Sequence, residues 1–156
     1  YRGNKNQDDS KFDTYLSKNC IKKMSKKKRK SLVDNAINVL RYDFETDSLV
    51  NAFTTFKEFH EEIAGKTFKN GFIAINARAT NDYAHIKSMV YIGNRYLTPE
   101  IKNFFIERGS PIDEDKWALS ELIQWIWRGC IRNNEPMNLY IPSTRMRTLL
   151  LDWLDS

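Results

Sequence analysis

In the stretch QWIWRGCIR a glutamine and two arginines recur every four residues, at Gln124, Arg128 and Arg132. A guanidinium is planar, permanently charged and presents a fork of donors. Arginines held on a rigid support therefore suit a phosphate, and match the dispersed charge of a phosphoryl-transfer transition state better than lysine does. Four residues turn an α-helix by about 40° net, so the three side chains are expected on one polar stripe. The plainer alternative is a solvated helix face with its basic residues near the C-terminal end, where the helix dipole favours them.

The element that must carry this stripe reads as a helix. It begins at the acids Asp113, Glu114 and Asp115, suited to the positive end of a helix dipole, and ends near Arg132 and Asn133. Leu119, Leu122, Ile123, Ile126, Trp127, Cys130 and Ile131 follow at three- and four-residue steps as its inner face. Glu121, Gln124, Trp125, Arg128 and Arg132 are left outside, and Trp125 and Tyr83 are then rings free to stack on a base or to pack against a partner.

Around that helix the texture is α/β. GFIAIN from Gly71, MVYIGN from Met89 to Asn94 and MNLYIP from Met137 to Pro142 are short apolar runs ending in polar loops, as buried parallel strands are. Thr98 and Pro99 are N-cap and first-turn residues for a helix through Arg108. Ser143 caps a closing helix whose Met146, Leu149, Leu150, Trp153 and Leu154 are expected inward. Strands alternating with helices imply a parallel sheet. The first 65 residues differ: helical spacing predicts helices over 12–24, 29–42 and 47–64, the last ending at Gly65. The expected division is a helical, basic extension over 1–65 and an α/β unit over 66–156.

The order of these features resembles the second RecA-like lobe of superfamily-two helicases, most closely the helicase-like replication proteins of phages and mobile elements. The likeness spans roughly 69–154. It rests on a strand leading into the arginine-bearing loop ARATNDY, a second strand, a proline-led helix, and Gln-x-x-x-Arg-x-x-x-Arg on a helix before a last strand. The resemblance implies that Gln124 and Arg128 stand at the start and first arginine of motif six, with Arg132 as its final arginine one residue late. Asn76 would end the motif-five strand, and Arg78, Thr80, Asn81 and Asp82 would form the loop that meets nucleic acid. The implied activity is ATP-dependent movement on nucleic acid, DNA above all. ATP and Mg2+ would be bound mainly by a preceding RecA-like lobe, and this chain alone would be inactive for lack of a phosphate loop.

Charge supports an anionic partner independently. The net charge is +5, and between Lys18 and Lys30 lie eight Lys or Arg and no acid. Lys26, Lys27, Lys28, Arg29 and Lys30 are the densest part of this block, which is expected either to touch a phosphate backbone or to be a solvated surface. AGKT at 64–67 mimics a phosphate loop, yet the first glycine of G-x-x-x-x-G-K-[ST] is replaced by His60, and Gly65 reads as a helix cap. Two histidines and two distant cysteines, Cys20 and Cys130, give no ordinary metal-ligand spacing, so no metal site is expected within the chain. No apolar run approaches the roughly 18 residues of a membrane span, and no signal peptide is visible, which points to a cytoplasmic setting. The opening YRGNKNQDDS has no initiator Met and reads as the start of an excised piece. The competing functions are a non-enzymatic nucleic-acid-binding or scaffold domain, and a protein-interaction domain built around Trp125.

Overall fold

Residues 14–64, 71–77 and 81–156 are described by the structure, a computed structural model. Helix α1 (Lys18–Lys23) starts at Ser17 and α2 (Lys26–Asn38) at Ser25, each serine hydroxyl accepting a first-turn N–H. Leu32, Val33 and Ala36 form the buried side of α2, which widens into a π-turn over Val39–Asp43. Strand β1 (Asn51–Thr54) follows, then a 3-10 turn at Lys57–Phe59 and the short α3 (His60–Ala64). Strand β2 (Ser88–Tyr91) leads to α4 (Pro99–Glu107) and α5 (Glu114–Ile126), and β3 (Asn138–Tyr140) to α6 (Thr144–Leu154).

The strands form one parallel sheet in the order β1-β2-β3, with Asn51 opposite Ser88 and Ser88 opposite Asn138. A fourth line of chain runs along the free side of β1. Phe53 donates its N–H to the Gly71 carbonyl at 2.8 Å and accepts from the Ile73 N–H at 3.0 Å, making one parallel bridge to Phe72. A Cβ on Gly71 would stand 2.8 Å from the Asn51 carbonyl oxygen, so only a glycine lets the two backbones come this close.

Successive strand residues face opposite sides, and both sides are covered. Phe53, Val90, Ile92 and Tyr140 pack with α1, α2 and α3 through Ile21, Leu32, Ala36 and Ile63. Ala52, Met89 and Tyr91 pack with α5 and α6 through Leu122, Trp125, Met146 and Leu150. The fold is thus a parallel α/β sheet flanked by helices.

The structure corrects several expectations. The helix expected over 47–64 is a 3-10 turn, strand β1, a second 3-10 turn and α3, so the first 65 residues are not all helical and the sheet includes them. GFIAIN makes one bridge and then turns, with the Ala77 N–H bonded to the Ala74 carbonyl at 3.0 Å, because only its first residues run beside β1. In α6 Met146 and Leu150 are buried while Trp153 and Leu154 are exposed, since its last turn runs past the sheet core. The 64–67 AGKT stretch, apart from Ala64, lies outside the described residues.

Candidate functional site

Helix α5 opens at Asp113, whose carboxylate accepts the Asp115 and Lys116 N–H groups, and it closes earlier than its apolar spacing suggests. After Ile126 the chain tightens: Arg128 N–H bonds the Trp125 carbonyl at 3.2 Å and Gly129 N–H the Ile126 carbonyl at 3.1 Å. A separate 3-10 turn, Cys130–Asn133, carries Arg132. Gly129 makes this break possible, because a Cβ there would lie 2.9 Å from Met89 Sδ and 3.2 Å from the Ile86 carbonyl. Gln124, Arg128 and Arg132 therefore do not share one stripe. Gln124 is exposed and bonds Ser120 Oγ at 3.1 Å, Arg128 is buried, and Arg132 is half-buried on the following turn.

Arg128 is fixed by backbone. Its Nη1 donates to the Ile75 carbonyl at 2.9 Å and its Nη2 to the Ala77 carbonyl at 2.6 Å. Burial lowers its pKa, against the charges of Glu121 and Tyr83, which raise it; an arginine so placed stays cationic at neutral pH. Trp125, expected outside, is fully buried with its indole Nε1 bonded to the Ile73 carbonyl at 3.0 Å, and Trp127, expected inside, is 50% exposed. The inner face is rotated because three carbonyls of the 73–77 segment accept from Trp125 and Arg128 side chains.

The segment between Gly71 and Ile86 that these bonds hold is the one likened above to motif five. Asn76, Asn81 and Asp82 are exposed and Tyr83 is half-buried, while Arg78 and Thr80 lie outside the described residues. The segment is joined to the arginine-bearing turn again at Ala84, whose carbonyl accepts from Asn133 Nδ2 at 3.5 Å, and at Ile86, whose carbonyl accepts the Cys130 N–H at 2.9 Å. Two stretches separated by some fifty positions in sequence are thereby tied together through buried bonds.

The basic block is a separate surface. Lys22, Lys23, Lys26, Lys27, Lys28 and Lys30 are exposed around the α1–α2 corner, and no acid lies in the first turn of α2. Lys18 pairs with Glu58 at 2.8 Å. Arg29 is structural in its contacts: it donates to the Ile21 and Lys22 carbonyls at 3.1 and 3.0 Å, pairs with Glu62 and lies over the Phe59 ring.

Sequence reasoning missed the carboxyl edge of the sheet. Directly after β2, Asn94 is buried, donating to the Tyr15 carbonyl at 3.0 Å and accepting from Arg145 Nη1 at 2.9 Å. Arg145 also holds the Arg95 carbonyl at 2.8 Å and Asp115 at 2.5 Å, which ties the start of α6 to the start of α5. Arg95 lies over the Trp117 and Phe56 rings and 3.5 Å from Glu121. Thr54 Oγ1, Thr55 Oγ1, Tyr91 OH and Arg95 Nε are buried there without hydrogen-bond partners among the described residues. Desolvation raises the Tyr91 pKa strongly, so its phenol stays protonated. The available signal is a pair of polar residues, Asn94 and Arg95, immediately after a buried strand.

A model of the family described as YonV C-terminal Rossmann-like domain matches residues 1–154. The chain is 45% identical over 141 residues to the SPbeta prophage-derived uncharacterized protein YonV of Bacillus subtilis (strain 168), across 90% of this chain and 34% of that protein. The chain thus spans about a third of the relative's length, 34%. No solved structure matches.

Proposed function

The chain belongs to the YonV C-terminal Rossmann-like domain family, and from that premise we propose that it is the second lobe of a nucleic-acid-dependent ATPase of the helicase or translocase kind. The observation that carries this reading is the pair of bonds from Arg128 to the Ile75 and Ala77 carbonyls. They tie residues 75 and 77, which lead into the loop likened to motif five, to the turn likened to motif six, and in this reading displacement of one is transmitted to the other. In this reading Arg128 couples the two, and Arg132, one turn on, supplies positive charge to a phosphoryl group held by another lobe.

ATP and Mg2+ would be held elsewhere. Among the described residues no group of three or more His, Cys, Asp or Glu side chains could hold a metal ion. The chain's own contribution in this reading is charge and positioning: Arg132 faces developing negative charge, and Asn76 and Asn81 offer amides to a nucleic-acid strand. A nucleotide and its metal, when bound by another lobe, would supply the phosphoryl chemistry. No helix of the described residues is long and apolar enough to cross a membrane.

ATP turnover by the full-length protein, with and without single-stranded DNA, tests the reading. Arg132→Ala is expected to lower turnover by about 10³-fold or more, the scale of a phosphate-facing arginine, in protein that still folds. Normal turnover by that variant removes the motif-six assignment. A full-length protein that binds DNA but never turns over ATP favours the second reading, a binding module, for which the six exposed lysines of the α1–α2 corner are the specific support.

A further inference from the structure

Beyond the carboxyl ends of β1 and β2 lies a cavity of about 590 Å³, lined among others by Phe56, Arg95, Tyr96, Trp117 and Lys18. Its position is a consequence of topology. From β1 the chain moves to Phe72 on one side of that strand and then to β2 on the other, so the order reverses between β1 and β2. In open parallel sheets such a reversal parts the connections and opens a crevice outside the strand ends, where ligands sit. Phe56 follows β1 and Asn94 and Arg95 follow β2, so the cavity straddles this point.

The chemistry of the lining is selective. Its volume falls within the roughly 300–1,000 Å³ of small-molecule sites. The charged residues on its wall are Lys18 and Arg95, both cations, and among the described residues no carboxylate lines it. Thr98, Pro99 and Ile101 also line it, which puts the first turn of the nine-residue α4 and the positive end of its dipole at the wall. Three rings line it as well: Arg95 lies over those of Phe56 and Trp117, and Arg145 over that of Tyr96. Arg95 is held at this wall against the Trp117 and Phe56 rings, with its Nη2 3.5 Å from Glu121. Neither cation is locked. The Lys18–Glu58 pair is more than half exposed on both sides, so water already competes with it, and the Arg95–Glu121 contact is a long one at 3.5 Å.

We propose that this crevice binds a nucleoside monophosphate, its base against the Trp117, Phe56 and Tyr96 rings and its phosphate between Lys18, Arg95 and the start of α4. Lys18 and Arg95 already face one carboxylate each, Glu58 and Glu121, so with the start of α4 the wall can take up a single phosphate, and a triphosphate would leave charge uncompensated. The site uses none of the residues assigned above to ATP turnover and lies at the other end of α5, where Glu114 accepts the Leu97 N–H at 2.9 Å. Loss of the ATPase reading would leave it standing.

The test is calorimetric titration of the chain with AMP, adenosine, inorganic phosphate and ATP, with tryptophan emission followed in parallel. AMP is expected to saturate, with adenosine and phosphate each at least about tenfold weaker, the effect of removing one charge-assisted bond or one stacking partner. Lys18→Glu should weaken AMP by about tenfold or more, and Ile101→Trp, at a 45% exposed wall position, should block the cavity without disturbing the core. Absence of AMP binding at about 5 mM overturns the proposal. Binding that survives both substitutions in folded protein overturns the placement, and ATP binding tighter than AMP overturns the choice of a monophosphate.

Discussion

Arg128 Nη2 and the Ala77 carbonyl oxygen lie 2.6 Å apart, a charge-assisted bond between the turn after α5 and a loop 51 positions upstream. The consequence is that Arg128 is a structural residue whatever else it does. Arg128→Ala strands the Ile75 and Ala77 carbonyls and is expected to cost about 2–4 kcal/mol in urea denaturation, whereas Arg128→Lys, able to reach one carbonyl, should cost about half as much. A loss below about 0.5 kcal/mol for the alanine variant would mean that water replaces the guanidinium freely.

The neighbouring tryptophans separate in the same way. Trp125→Ala removes a fully buried ring that donates to the Ile73 carbonyl and meets Tyr91 edge-on, and should cost about 3–5 kcal/mol. Trp127→Ala, at 50% exposure, should cost less than about 1 kcal/mol. Equal losses would contradict the rotation of α5 that buries Trp125.

For the lysine corner the readout is salt dependence. Changing Lys26, Lys27, Lys28 and Lys30 to Ala should weaken single-stranded DNA binding and flatten the plot of log affinity against log salt by about 0.7 for each phosphate no longer neutralised. An unchanged slope would reduce the corner to solvated surface. All four side chains are exposed, so the melting temperature should barely move.

Asp113 supplies a pH dependence of known sign. Its pKa is lowered chiefly by the Lys116 backbone N–H, so the folded state prefers the ionised carboxylate. That stabilisation is present above the unfolded carboxyl pKa of about 3.9 and is lost as pH falls through the lower folded value. Asp113→Asn keeps an N-capping acceptor without the charge. The stability gap between wild type and this variant should therefore be visible near neutrality and close on acidification; a gap that widens in acid would reverse the assignment.

How much can be read from the residues depends on whether the signal is contiguous. MVYIGN announces β2 because a strand buried on both faces reads as an unbroken apolar run, and MNLYIP announces β3, less buried, by its short apolar run before a proline. The same physics hides β1: Ala52 and Phe53 face opposite cores, no alternation shows, and Phe53, Phe56, Phe59 and Ile63 fall by accident at helical steps. The helix caps at Thr98, Asp113 and Ser143 are legible since each depends on one residue type at one place. Arg128 is misplaced whenever helical periodicity is carried through Gly129, where the helix has already ended. The crevice at the carboxyl edge draws Lys18, Phe56, Arg95 and Trp117 from four distant stretches, and no local pattern holds them together.

The register of the sheet also governs how the chain must fold. Ser88 has one strand partner, Asn51, far upstream and another, Asn138, far downstream, so neither side of β2 can pair through a hairpin. Each pairing closes a long loop, and the entropy of that closure is spent before the ladder bonds form. Refolding should therefore be limited by the meeting of β2 with its neighbours, after α2 and α5 have become helical. Until that step Met89, Val90 and Tyr91 remain an unpaired apolar edge, the segment through which crowded, half-folded chains would stick to one another.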